Sequence, residues 1–502
     1  MTALAIVGAG ASALAATTAL VARGVVPEIL DIAAGPPEDA RALRARLAAT
    51  DPESWSPADR AAARAAVEPG RDVPRKAWFG SDFAFADESL GVDSPGPAPA
   101  RAFGGYSTIW GAAVMAPDAA DLAGWPADIR RGLEPALARA REILSATSDG
   151  LPYGPQMAAL RAAAAAADPA GAVLRPASLA VAPGACRACA MCLSGCPYGA
   201  IFDAGPRLAA MERAGQTRIV RGFFVTDVAE DGAGVTVRGI DSTAGRAVER
   251  RYSRVLFAAG ALGTTRIVLR ARGLYDRDAI VKDSQKILLP ILRAAAPAGA
   301  LDDRGLTLTG LFVDPPAPDG HAHRPHLQIT GVNPMLLARL GIGPDSVRGR
   351  FRRTLLAPLL ARLMVGWGGL HSDYSGTLTL RVSRGDGPLD RLTIRPKADP
   401  RSARAARAAV ASFRRALRPT GTFIPPLGGR LVAPGEGNHV GGSLPMGAAG
   451  PGPSSDGLGR PLGFARVHAI DASGFPSIPA TTMLLLSMAN ADRIAREVPL
   501  EA

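Results

Sequence analysis

All four cysteines of this 502-residue chain fall within eleven positions, as Cys186, Cys189, Cys192 and Cys196 in Cys-Arg-Ala-Cys-Ala-Met-Cys-Leu-Ser-Gly-Cys-Pro. Thiols so close together have three uses: an iron–sulfur cluster, zinc or disulfides. The spacing C-x2-C-x2-C-x3-C-P is that of an iron–sulfur ligand run, in which soft thiolates suit the iron. Zinc sites separate two Cys/His pairs by a longer finger, and here the pairs overlap with almost no room between them.

The same run occurs in bacterial ferredoxins, where the fourth cysteine of a two-cluster protein serves the other cluster. This chain has no second set of cysteines. The run therefore offers either one four-iron cluster bound by all four thiolates or a three-iron cluster that leaves Cys196 spare, and the spacing does not choose.

A second chemistry is written at the N-terminus. Ala3 to Val7 is a short apolar strand, followed by Gly8-Ala9-Gly10-Ala11-Ser12-Ala13 and an apolar helix through Ala22. The pattern G-x-G-x-x-A opens a helix so that its first amides face a pyrophosphate, with Gly8, Gly10 and Ala13 at the small positions. A further strand, Val25 to Leu30, ends at Asp31, where a carboxylate can accept hydrogen bonds from a ribose. Strand, helix and acid in this order predict a dinucleotide.

Other segments resemble the glucose-methanol-choline (GMC) oxidoreductases. Arg101-Ala-Phe-Gly-Gly-Tyr-Ser-Thr-Ile-Trp-Gly111 is similar to their glycine-rich flavin loop, and Arg254-Val-Leu-Phe-Ala-Ala-Gly-Ala-Leu-Gly-Thr-Thr-Arg266 to the strand and turn that close their FAD domain. Gly437-Asn-His-Val-Gly-Gly-Ser-Leu-Pro-Met-Gly447, Asp456 to Arg460, Val467 to Pro476 and Pro479-Ala-Thr-Thr482 follow in family order, before a last helix from Met483 to Glu497. The resemblance implies FAD, held by Gly104, Gly105, Ser107, Ala259, Gly260, Asp471, Ala472 and Thr482 beside the N-terminal residues. Val225 resembles the residue that contacts adenine. Cys196-Pro-Tyr-Gly-Ala200 resembles the end of a cysteine-rich loop in members that act on sugars or sugar acids.

The resemblance also puts His439 where the family carries its base. An alcohol is a poor hydride donor until its proton begins to leave, and imidazole, with a pKa near neutrality, suits that task. Relatives pair this histidine with a second histidine or an asparagine, and that position falls here on Thr482. Threonine can hydrogen-bond an alkoxide but is no comparable base. His439 then works alone, or Asn438 assists.

Other histidines are weaker candidates. His321, His323 and His326 have the spacing of a metal triplet but follow a proline-rich loop, Pro315 to Gly320. His371 could project from a strand toward substrate, and His468 is expected to pack in the FAD domain. Tyr106 and Trp110 are placed to lie over the flavin or to serve as core.

These sites need a large scaffold. The chain is long enough for two or more domains, and a net charge of +12 carried by scattered arginine lacks the clustering that nucleic acid requires. The uncharged stretch Met1 to Ala22 has no basic leader and is broken by glycines, so it reads as a buried strand and helix; no membrane span is expected, and a cytoplasmic protein is. Strand-like pieces at Leu306–Phe312, His326–Ile329 and Thr377–Val382 alternate with helix patterns near Leu355–Met364 and Arg401–Leu417, and Gly222–Val228 and Val235–Ile240 form a hairpin around Asp231–Gly234.

The expected class is α/β. A Rossmann-like FAD-binding domain occupies 1–120, 205–274 and 431–502, with connecting helices and the cysteine loop at 121–204 and a mixed-sheet substrate domain at 275–430. The expected function is an FAD-dependent dehydrogenase that oxidises a CH–OH group of a sugar or sugar-derived metabolite. An acceptor protein, quinone or dye-type acceptor takes the electrons through the cluster. Two alternatives stay open: oxidation of a non-carbohydrate alcohol in a biosynthetic pathway, and an electron-transfer subunit with no alcohol chemistry.

Overall fold

The uncharged N-terminus folds as β1 (Leu4–Val7), a tight turn and α1 (Ala11–Val21), followed by β2 (Glu28–Asp31). The computed structural model describes residues 4–65, 85–86, 88–192, 195–301, 304–332, 337, 341–342, 347–385, 389–447 and 452–500. β1 is the centre of a five-stranded parallel sheet in the order 467–469, 254–257, 4–7, 28–31, 218–221. A central parallel strand is covered on both faces, which is why it reads as an unbroken apolar run. α1 lacks charge for the same reason. It is buried nearly all round and packs with the C-terminal helix Leu484–Glu497 in the main core.

The glycine at position 8 is required by this packing. Its φ is +101°, and a Cβ there would run into the carbonyl of Ala258, at the end of the neighbouring strand Arg254–Phe257. A separate antiparallel sheet holds Phe223–Asp231, Gly234–Asp241 and Arg246–Tyr252, with its first turn at the expected glycines.

Two further sheets carry most of the remaining strands. One is mixed, with the order 440–441, 278–283, 377–383, 391–397, 92–93, of which only the last pair is parallel. The other is antiparallel: 422–423, 286–293, 363–369, 326–331, 311–313, 174–176, with 430–431 also paired to 286–293. Leu174–Pro176, well before residue 275, supplies one edge of that sheet. Pro400–Leu417 is helical and packs its apolar side on this sheet's core.

Two local expectations change. The strand expected over Leu306–Phe312 is confined to Leu311–Val313. The helix expected near Leu355–Met364 runs instead over Val347–Leu360, and Met364 lies in the strand Leu363–Gly369. Leucine, alanine and arginine carry the helix as far as Leu360, but Met-Val-Gly-Trp-Gly-Gly buries alternate residues, a period of two. Among the described residues, no helix is long and apolar enough to cross a membrane.

Candidate active site

One cavity of about 360 Å³ runs from the β1–α1 turn to the C-terminal block. Gly8, Gly10, Asp31, Gly105, Ser107, Ala259, Gly260, Asn438, His439, Asp471, Ala472 and Thr482 all line it, although they come from the two ends and the middle of the chain. Tyr106 and Trp110 line it as well. α1 has no side-chain cap and no acid in its first turn, so its leading amides are open to an anion. Asp31 accepts hydrogen bonds from the Ala9 and Ala33 amides at 2.9 and 2.6 Å, and burial raises its pKa to about 7. These features fit a dinucleotide pyrophosphate and ribose.

Three expected cofactor residues lie off the cavity lining. Ala13 is fully buried inside α1. Gly104 accepts the Ser107 hydroxyl at 2.6 Å and so shapes the loop from behind. Val225 packs in the core beneath the parallel sheet, with Val7 and Leu30.

His439 bonds the backbone of Thr481 through one ring nitrogen, while its Nδ1 is buried and has no hydrogen-bond partner among the described residues. Burial holds its pKa well below the usual histidine value, and the neighbouring Lys286 and His326 push it in the same direction. The imidazole is therefore neutral at pH 7 with a lone pair to spare, which a general base needs. Asn438 sits beside it with a φ of +54°. Thr482 is otherwise engaged: its hydroxyl accepts the Met115 amide at 3.0 Å and lies 3.4 Å from the Met115 carbonyl.

The four cysteines surround a second, small pocket together with Val181, Tyr198, Gly305 and Leu306. None is in a disulfide. Ala188, Ala190 and Gly195 take positive φ values of 52°, 59° and 107°, which coil the loop around the sulfurs. The Ala200 amide donates to Cys196 Sγ at 3.3 Å. Backbone amides gathered in this way favour an anionic group such as a thiolate cluster. Burial first, and then the neighbouring thiols, push Cys189 and Cys192 up, Cys192 to about 11. A bound cation would reverse that shift by taking the thiolates. Trp110 lines the large cavity and belongs to the same apolar cluster as Cys186, Cys192 and Cys196.

Residues 97–281 match the family model described as GMC oxidoreductase. Pyridoxine 4-oxidase from Mesorbium loti is similar in structure, with a TM-score of 0.61 and 17% identity over 99% of each chain. The chain has the GMC oxidoreductase fold. No curated protein matches it in sequence. The matched segment contains the glycine-rich loop at 101–111, the cysteine run and the turn at 258–260, whereas the N-terminal glycines and the His439 block lie outside it.

Within this GMC fold, the antiparallel sheet adds residues that sequence reading missed. Lys286, Gly369 and His326 form one row across three strands, so their side chains share a face. The carbonyl of Ala480 occupies the space a Cβ at Gly369 would need, and the Lys286 stem fills the space beside Gly437. His326 Nδ1 donates to Asp314 at 2.6 Å, Arg175 holds the other oxygen of that carboxylate, and His326 Nε2 is buried without a partner among the described residues. Gln328, two residues along on the same face, reaches the cavity. A signal for Lys286 was present, since the chain has only four lysines and this one opens an apolar strand. His321, His323 and His326 do not converge. His321 is half-buried against Tyr374, and His323 stacks on His371. His468 is fully buried in its strand, with Nδ1 2.9 Å from the Leu458 carbonyl.

Proposed function

We propose that this protein is an FAD-dependent dehydrogenase of the GMC type that oxidises a CH–OH group. The observation that carries the reading is the meeting, in one cavity, of the open α1 N-terminus and Asp31 with His439, a half-buried imidazole whose surroundings favour its neutral form. FAD would be held by the α1 N-terminus, Asp31 and the turn at Asp471 and Ala472, and would supply a hydride acceptor for the carbinol carbon that can pass its two electrons on singly. The protein's own residues handle the proton. His439 accepts it from the substrate hydroxyl at the ring nitrogen that faces the cavity and becomes imidazolium, and the Thr481 backbone orients the ring. Carbonyl product, hydride and proton together balance the alcohol oxidised. Burial first, and then the nearby positive charge of Lys286, keep His439 neutral beforehand. Thr482, committed to Met115, is a structural residue in this scheme and leaves His439 as the single base.

Cys186, Cys189, Cys192 and Cys196 would hold an iron–sulfur cluster, whose chemistry is one-electron transfer. Their shared pocket, the N–H···S bond at Cys196 and the packing of Trp110 support a dehydrogenase that serves a one-electron acceptor over an oxidase. A sugar or sugar-derived alcohol is the favoured substrate, on the likeness of the cysteine loop. A structural neighbour named for oxidising pyridoxine supports a second reading, a non-carbohydrate alcohol. Anaerobic reduction of the bound flavin by sugars, sugar acids and heteroaromatic alcohols tests both, and a pure electron relay would be reduced by none.

A further inference from the structure

Beside the main cavity, but lining no part of it, Asp121, His323 and His371 converge from three separate stretches of chain, with one potential ligand atom of each within 4.8 Å of the others. Asp121 is 4% exposed, His323 9% and His371 2%. The two imidazoles stack with centroids 3.5 Å apart and planes at 17°. His323 Nδ1 and His371 Nε2 are buried and have no hydrogen-bond partner among the described residues. Two buried ring nitrogens left unsatisfied side by side are costly.

The outer nitrogens of both rings face a single carboxylate. Asp373 Oδ2 is 3.1 Å from His323 Nε2 and 3.5 Å from His371 Nδ1. A carboxylate behind the far nitrogens of two histidines is the arrangement that fixes ring orientation in metal sites and raises ligand basicity. We propose that Asp121, His323 and His371 bind one divalent zinc-class cation, with Asp373 as the supporting carboxylate. Tetrahedral ligand atoms at about 2.0–2.2 Å from one ion lie about 3.4 Å from one another, so atoms as far as 4.8 Å apart must draw together on binding and the stacked rings must turn, since each imidazole lone pair lies in its ring plane. Three protein ligands leave the fourth tetrahedral position to water.

The proton inventory permits this. His371 Nδ1 now accepts the Asp373 amide at 3.2 Å. With a cation on Nε2, the ring proton resides on Nδ1 and is donated to the Asp373 carboxylate. The other charged groups facing the site are Lys282, near Asp373 and His371, and Asp118 and Asp314, near Asp121. The cation would act as a staple. The Ser477 hydroxyl bonds the Asp121 carbonyl, and Ile478 exchanges backbone and hydroxyl bonds with Ser372. An ion there would fix the chain that leads to Thr481, the residue that orients His439.

The test uses the flavin-loaded protein, stripped of loosely held metal and titrated with zinc by calorimetry and with cobalt(II) by absorbance. One equivalent of cobalt should show visible d–d bands without the near-ultraviolet charge transfer of thiolate ligation. His323→Gln, in a loop, should abolish that equivalent while flavin stays bound. Asp373→Asn, which removes no ligand, should weaken it roughly 10–100-fold and guards against a misfolded ligand variant. Parent protein that binds no nitrogen/oxygen-ligated cobalt, or variants that bind it as well as the parent, would overturn the proposal.

Discussion

Lys286 and His326 stand in the same cross-strand row, separated only by Gly369, and both act electrostatically on His439. The glycine leaves the gap through which Ala480 enters, two residues before Thr482. His439 is thus set where desolvation and two neighbouring groups disfavour its charged form. Because its pKa lies below the ordinary histidine value, flavin reduction should be flat across neutral pH and fall only in acid, as His439 becomes protonated. Lys286→Met removes a positive charge and should move that acid limb to higher pH. Rapid-mixing rates measured across pH would show the shift, and an unmoved limb would remove Lys286 from the electrostatics of the site.

His439→Ala should slow flavin reduction by roughly 10²–10⁴-fold, the usual contribution of a positioned base. The bound flavin spectrum should be unchanged. An unimpaired variant would take His439 out of the chemistry.

Thr482→Val distinguishes a base from a structural hydroxyl. It strips the Met115 amide of its buried partner and should cost about 1–3 kcal/mol of stability in thermal unfolding. The reduction rate should hold within a few-fold. A rate loss as large as that of His439→Ala would return Thr482 to the proton-transfer step.

Asp31→Ala should weaken FAD at least about tenfold, the scale of one lost charge-assisted hydrogen bond. The cysteine pocket, which Asp31 does not line, should be unaffected. Titration of flavin-free protein measures the first, and iron and sulfide analysis the second.

Cys189→Ser or Cys192→Ser should lower or alter the iron and sulfide content while leaving FAD in place. Substrate should still reduce the flavin quickly, whereas turnover with a one-electron acceptor falls. Paramagnetic resonance distinguishes a three-iron from a four-iron centre and so decides the role of Cys196. Stoichiometric zinc without iron, in protein prepared without oxygen, would contradict the iron–sulfur reading.

The parts legible in the sequence were those fixed by backbone geometry. Gly8 must take a positive φ against Ala258, and Asp31 must end the second strand, so both follow a local pattern that can be read in one dimension. The cysteine run is equally local. The environment of His439 is not, since it arises from the register of strands at 286–293, 326–331 and 363–369, and register depends on pairings that leave no short-range mark. Asp121, His323 and His371 were hidden for the same reason: the spacing of His321, His323 and His326 suggested a triplet, and the loop instead sends His323 alone toward His371. At Leu355–Met364, helix-favouring composition ran straight into a strand, and only the period-two burial from Met364 onward marks the change.

The central claim, alcohol oxidation at a flavin served by His439, is tested most directly by mixing the purified protein anaerobically with a panel of sugars, sugar acids and heteroaromatic alcohols while following flavin absorbance. The account predicts FAD in the purified protein and its bleaching by at least one alcohol, slowed in His439→Ala. Protein that carries a nicotinamide in place of flavin, or flavin that a chemical reductant bleaches and no alcohol does, would contradict it.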